Sequence, residues 1–151
     1  MADNYMEFSE VIENLTPEEA AWLDRQLATD ANADCPAFLV DCPFHEQYDT
    51  DCGFGYSFEE HDGRRWLWIC SSEGSNVEYV AHLVQKFLKQ FRQDQCWSLT
   101  YATTCSKLRV GEFGGGAVFV TADEINYQST YAFVELQQTA FQQKKQQVQP
   151  V

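Results

Sequence analysis

The sequence predicts an α+β domain: an antiparallel sheet of about four strands in the order ββαββα, with helices packed on it and two N-terminal helices ahead of it. Three observations lead there. Asp62-Gly63 is a favoured two-residue hairpin turn between two strand-like segments. Val77, Val80, Ala81, Val84, Leu88 and Phe91 recur at helical spacing. Residues 96–105 alternate, with Trp97, Leu99 and Tyr101 on one face and Ser98, Thr100, Ala102 and Thr104 on the other.

Phe8, Val11, Ile12 and Leu15 stand at i, i+3, i+4 and i+7, which predicts a short first helix. Thr16-Pro17-Glu18-Glu19 forms a capping box with proline at the first helical position, so a second helix should run from Pro17 to Ala28. Residues 1–28 thus read as a helical segment. Residues 29–54 form a long acidic loop with Pro36, Pro43 and Gly53, in which only Ala37–Val40 resembles a strand or buried segment.

The hairpin turn pairs Phe58 with Leu67 and Tyr56 with Ile69 on one face, and Glu59 with Trp66 and Ser57 with Trp68 on the other. The Leu67/Ile69 face should pack on the helix that begins near Val77. The N-terminal helices, through Trp22 and Leu23, are expected to cover the indoles. Ser75-Asn76-Val77-Glu78 reads as a capping box for the helix to Arg92. Residues 106–116 should loop out through Gly111 and Gly114-Gly115-Gly116 before a strand from Ala117 to Thr121. A last helix is predicted from Thr130 to Lys145. Residues 142–151, rich in Gln, should fray.

The chain has 151 residues, enough for one domain spanning 1–151. Net charge is −13, which argues against direct binding of nucleic acid or of an anionic membrane. No apolar run reaches the roughly 18 residues of a membrane span, and no secretory signal opens the sequence, so a cytoplasmic setting is expected. Six cysteines then read as reduced thiols.

The charge is unevenly placed. Residues 1–62 hold sixteen acids and one base, Arg25, whereas residues 63–151 hold seven acids and nine bases. Clustered like charge costs stability, so it invites a reason. One reading is a solubilising face. Another is a surface for a basic partner, imitating nucleic-acid charge, with Asp3, Glu7, Glu10 and Glu13 as a helical stripe and loop acids such as Asp49 and Asp51 folded beside it.

Cys35, Cys42, His45 and Cys52 are a permitted zinc set, but their C-x6-C-x2-H-x6-C spacing lacks paired knuckles. Thiols that merely pack are the favoured reading, and no metal or cofactor is expected. Asp49-Thr50-Asp51 lacks the later ligands of a calcium loop. The glycine cluster precedes a strand and lacks the Lys-Ser/Thr of a phosphate loop. His82 should be exposed among Glu78, Lys86 and Lys89. No catalytic constellation emerges.

Leu15-Thr16-Pro17-Glu18-Glu19-Ala20-Ala21-Trp22-Leu23, Asn76 to Arg92, Cys96-Trp97-Ser98-Leu99-Thr100, and Arg109 through Gly114-Gly115-Gly116 to Glu124 resemble a family of small acidic proteins carried by bacterial mobile elements and phages. The likeness spans most of the chain. That family has no settled biochemical role and lends no catalytic residues. It implies a bacterial or phage cytoplasmic setting. By analogy it favours an inhibitor of host nucleic-acid enzymes.

The leading expectation is therefore a non-enzymatic, acidic protein-binding module or inhibitor. It would dock a basic host or defence protein through Asp3, Glu7, Glu10, Glu13, Asp49, Asp51, Trp66 and Trp68. The alternatives are a small enzyme with a pocket at the Trp66/Trp68 face and Gly114–Gly116, and a zinc-stapled structural module.

Overall fold

The structure, a computed structural model, describes residues 2–74 and 76–148. Its first element is a strand, β1 (Asn4–Ile12), in place of the expected helix. Phe8 and Ile12 are four apart, a spacing that puts two side chains on one face in either a helix or a strand. Tertiary pairing decides between them. Residues 8–12 pair antiparallel with β5 (Arg64–Ser71), and residues 4–7 pair with β6 (Cys96–Cys105). β1 thus fills the gap between the two hairpins and satisfies the backbone groups of both. Past Glu7 the pairing with β6 ends, and Trp97 Nε1 donates to Val11 O across the gap at 2.9 Å.

The first helix is α1 (Pro17–Leu27). Its capping box forms as expected: Thr16 Oγ1 accepts from Glu19 N, and Glu19 Oε1 accepts from Thr16 N. The long loop carries a two-residue ladder, β2 (Thr29–Asp30) with β3 (Cys35–Pro36), and one 3-10 turn at Ala37–Leu39 that buries Phe38 and Leu39.

β4 (Gly55–His61) and β5 form the hairpin in the expected register, with Phe58 opposite Leu67 and Ser57 opposite Trp68. Asp62 and Gly63 both take positive φ, 51° and 75°, as a type I′ turn requires. The second helix, α2 (Val77–Phe91), is capped by Asn76, whose side chain accepts from Glu78 N and Tyr79 N. Ser75, expected as the cap, lies outside the described residues.

β7 (Gly114–Thr121) begins three residues earlier than expected, at the glycines, and β8 (Ile125–Ser129) is an additional strand that the local pattern does not announce. The last helix, α3 (Thr130–Val148), continues through most of the stretch expected to fray; residues 149–151 lie outside the described residues.

The sheet therefore has six antiparallel strands, in the order β4-β5-β1-β6-β7-β8, and the described chain has three α-helices. This corrects the expectation of about four strands behind two N-terminal helices. α2 and α1 cover one face. Leu67 and Ile69, fully buried, lie on that face with Leu99 and Val118, together with Val80, Val84 and Phe87 of α2. Trp22 packs on Phe87 and Phe91 of α2 and so does not reach the far side of the sheet. The other sheet face has no helix laid on it among the described residues, so the expected cover over the indoles does not form. Among the described residues, no helix is long and apolar enough to cross a membrane.

The candidate partner-binding face

β5 alternates, so its odd positions feed the core and its even positions turn outward. Trp68 sits mid-strand on the outer face and is 40% exposed. It is fixed there, because its Nε1 donates to Ser9 Oγ on β1 at 2.8 Å. Trp66 is half-buried near the hairpin end, beside an open groove of about 260 Å³ lined by Val11, Glu13, Asn14 and Arg64. Glu59 stands opposite Trp66 and accepts from Ser57 Oγ at 2.8 Å. Glu7, opposite Ala102, is exposed two residues along β1 from Ser9 on the same outer face. The outcome is a rigid aromatic patch with carboxylates on several sides.

The expected acidic residues divide. In a strand, Glu7 and Glu10 point to opposite faces, so the helical stripe does not exist. Glu10 is opposite Ile69, on the helix-covered side. Asp3 is exposed at the start of β1, where its amide donates to Ser106 Oγ. Glu13 follows β1 and lines the Trp66 groove.

Asp49 and Asp51 belong to the loop that packs on α2, away from the indoles. Tyr79 Oη donates to Asp49 Oδ2 at 2.5 Å, and Asp51 Oδ1 accepts from Gly53 N at 2.8 Å. Burial, reinforced by Asp49, pushes the Tyr79 hydroxyl up to about 12. Asp41 accepts from Lys86 Nζ at 2.9 Å and lies 3.5 Å from His82 Nε2. Burial alone would raise the Asp41 carboxyl, but Lys86 and His82 hold it below its ordinary value. These loop acids thus have a local task, tying an irregular segment to α2. That accounts for part of the charge asymmetry without a partner.

His82 is not exposed as expected. It lies half-buried between Phe38 and Phe44, and burial lowers its pKa despite Asp41. The three cysteines of the zinc set are buried in the core, and burial pushes each thiol up, which favours the protonated form over the thiolate a metal needs. Cys52 Sγ donates to Phe54 O, and His45 Nε2 donates to Asp49 O. No metal-ligating cluster occurs among the described residues.

The glycines of the enzyme alternative are β-strand residues, three strands from Trp68 in the sheet order, or about 14 Å. A Cβ on Gly115 would stand 2.5 Å from Tyr101 O, and one on Gly116 would stand 2.5 Å from Gln128 O. Close strand approach, with Tyr101 lying over Gly116, explains the run. Sequence reasoning misses Ser9 and Val11 as members of the outer face, because it reads a period of 3.6 where the period is 2.

Comparison with protein-family models, with curated proteins and with solved structures returns no match.

Proposed function

We propose that this chain is a binding module, not a catalyst, and that it captures a basic protein segment on the outer face of its sheet. The observation that carries the reading is Trp68, held 40% exposed by Ser9 on a face with no helical cover, with Glu59 diagonal to it on β4 and Glu7 two residues beyond Ser9 on the same face. Exposed indoles are the best ring partners for Arg and Lys side chains, and nearby carboxylates add pairing and steering. The partner class is an Arg- or Lys-rich surface. In the bacterial or phage cytoplasm implied by the family resemblance, a host nucleic-acid-handling or defence protein fits that class, and the module would act as its inhibitor. Support for the site comes from the outer face and not from a duplex-like row of charge.

The test is titration with an arginine-rich peptide, followed by indole fluorescence across a salt series. Association should slow as salt rises, because steering is screened beyond ~8 Å at physiological ionic strength. Trp68→Ala and Glu7→Lys should each weaken binding, whereas Glu46→Lys, on the exposed loop against α2, should change it little. Binding indifferent to salt and to Trp68→Ala, or weakened most by Glu46→Lys, would move the site off this face.

A further inference from the structure

α3 leaves the sheet almost at once. Its ties to the body are confined to its start: Gly115 N donates to Thr130 Oγ1, Tyr131 Oη donates to Gly111 O and Phe113 O, and Ala132 N donates to Ser129 Oγ. From Phe133 to Gln147 every residue is exposed. The helix is 19 residues, about 28 Å long. Most helical stability in proteins comes from packing of an apolar face, and from Phe133 on this helix packs on nothing among the described residues of its own chain.

The exposed surface is not uniformly polar. Phe133, Leu136 and Ala140 fall at i, i+3 and i+7, and Val134 and Phe141 flank them one heptad apart. Phe133, Leu136 and Phe141 are 55%, 64% and 60% exposed. At 100° per residue these five positions span about 160° of the helix.

We propose that α3 is a self-association element that pairs antiparallel with α3 of a second copy. Two observations choose that occupant. The first is area. Each large apolar side chain offers roughly 100 Å², so two such faces with their neighbouring Gln stems bury on the order of 1,000 Å², the lower bound for a specific interface. The expected product is a weak, concentration-dependent dimer. The second is charge. α3 carries Glu135, Lys144 and Lys145, a net +1, on a chain of net −13. Two copies that meet there bring together a nearly neutral segment and not the acidic part of the chain. Antiparallel pairing also sets the acidic bodies at opposite ends and brings Lys144 and Lys145 of each copy toward the acidic body of the other. Parallel pairing would crowd both bodies together.

Sedimentation of the full chain over a thousandfold concentration range tests this. The mass should rise from 17.4 kDa toward twice that value. The double variant Phe133→Asp/Phe141→Asp should raise the dissociation constant by at least ~10-fold, as loss of aromatic anchors does. Its body should unfold at the wild-type temperature, since neither ring packs into the core. Amide protection along residues 133–147 should grow with wild-type concentration and not in the variant. Lys144→Glu/Lys145→Glu should also weaken association. A wild-type mass fixed at 17.4 kDa throughout, or a dimer indifferent to Phe133→Asp/Phe141→Asp, overturns the proposal. A dimer weakened by that pair but not by lysine reversal overturns its antiparallel arrangement.

Discussion

Replacing Arg92 with methionine should be among the most damaging single changes available to this chain. The guanidinium reaches back from the C-terminal end of α2 to the corner between β1 and α1. Its Nε donates to Glu19 Oε2 at 2.9 Å, and its Nη2 donates to Glu19 Oε1 at 3.2 Å, to Glu13 O at 2.9 Å and to Asn14 O at 3.1 Å. The group also lies over the Phe87 ring, 5.0 Å from its centroid. Glu19 is only 5% exposed and is at the same time the closing member of the α1 capping box. Burial alone would raise its carboxyl, but Arg92 and the Thr16 amide outweigh that and hold it below its usual value.

Methionine fills similar volume but leaves Glu19 buried without its counter-charge. Breaking such a pair costs about 3–5 kcal/mol. For a domain of this size each kcal/mol moves Tm by ~2–4 °C, so thermal unfolding at neutral pH should fall by about 10–15 °C. Adding Glu19→Gln to the Arg92→Met variant should recover part of the loss, because the amide keeps an acceptor for the Thr16 amide and removes the stranded charge. The wild-type contribution is present above the ordinary carboxylate range and is lost as pH falls through the lowered native value. The Arg92→Met variant should lack that acid-dependent component. An unchanged Tm in Arg92→Met, or no recovery in the double variant, would refute the clamp.

Gly115→Ala should destabilise by roughly 1–3 kcal/mol in denaturant unfolding, since its Cβ would meet backbone, Tyr101 O, which cannot swing aside as a side chain can. An alanine variant as stable as wild type would show that β6 and β7 part freely. Stability should also fall on both sides of neutrality. His82 resists protonation when folded, so stability drops as pH falls below about 6.5, and Asp41 and Glu19 deepen the loss at lower pH. Tyr79 resists ionisation until about 12 when folded, so stability drops again as pH rises above about 10. A Tm that keeps rising through either limit would contradict these assignments. Among the thiols, exposed Cys96 should react first with an alkylating reagent, and Cys35, Cys42 and Cys52 only on unfolding. Equal native rates would mean that the 29–54 loop opens.

Much of the local structure is legible in the residues themselves. Thr16-Pro17-Glu18-Glu19 specifies a helix start, because the cap is satisfied within four residues. Asp62-Gly63 specifies a hairpin, because its two positive φ values suit few other pairs. The register that follows puts Leu67 and Ile69 on one face and Trp66 and Trp68 on the other with no knowledge of the rest of the chain. The α2 stripe is equally self-contained.

What lies beyond local pattern was decided by the tertiary structure. Residues 4–12 are compatible with two periods, and only the unfilled edges of β5 and β6, dozens of residues away, make them a strand. That one choice turns an expected stripe of acids into carboxylates on opposite faces. It also supplies Ser9 to fix Trp68. Whether the indoles were covered depended on where α1 found its apolar partners. Those are Phe87 and Phe91 of α2, on the helix-covered face, away from the indoles. A sequence states which faces are apolar. Which of them meet is set by the long-range closure of the sheet.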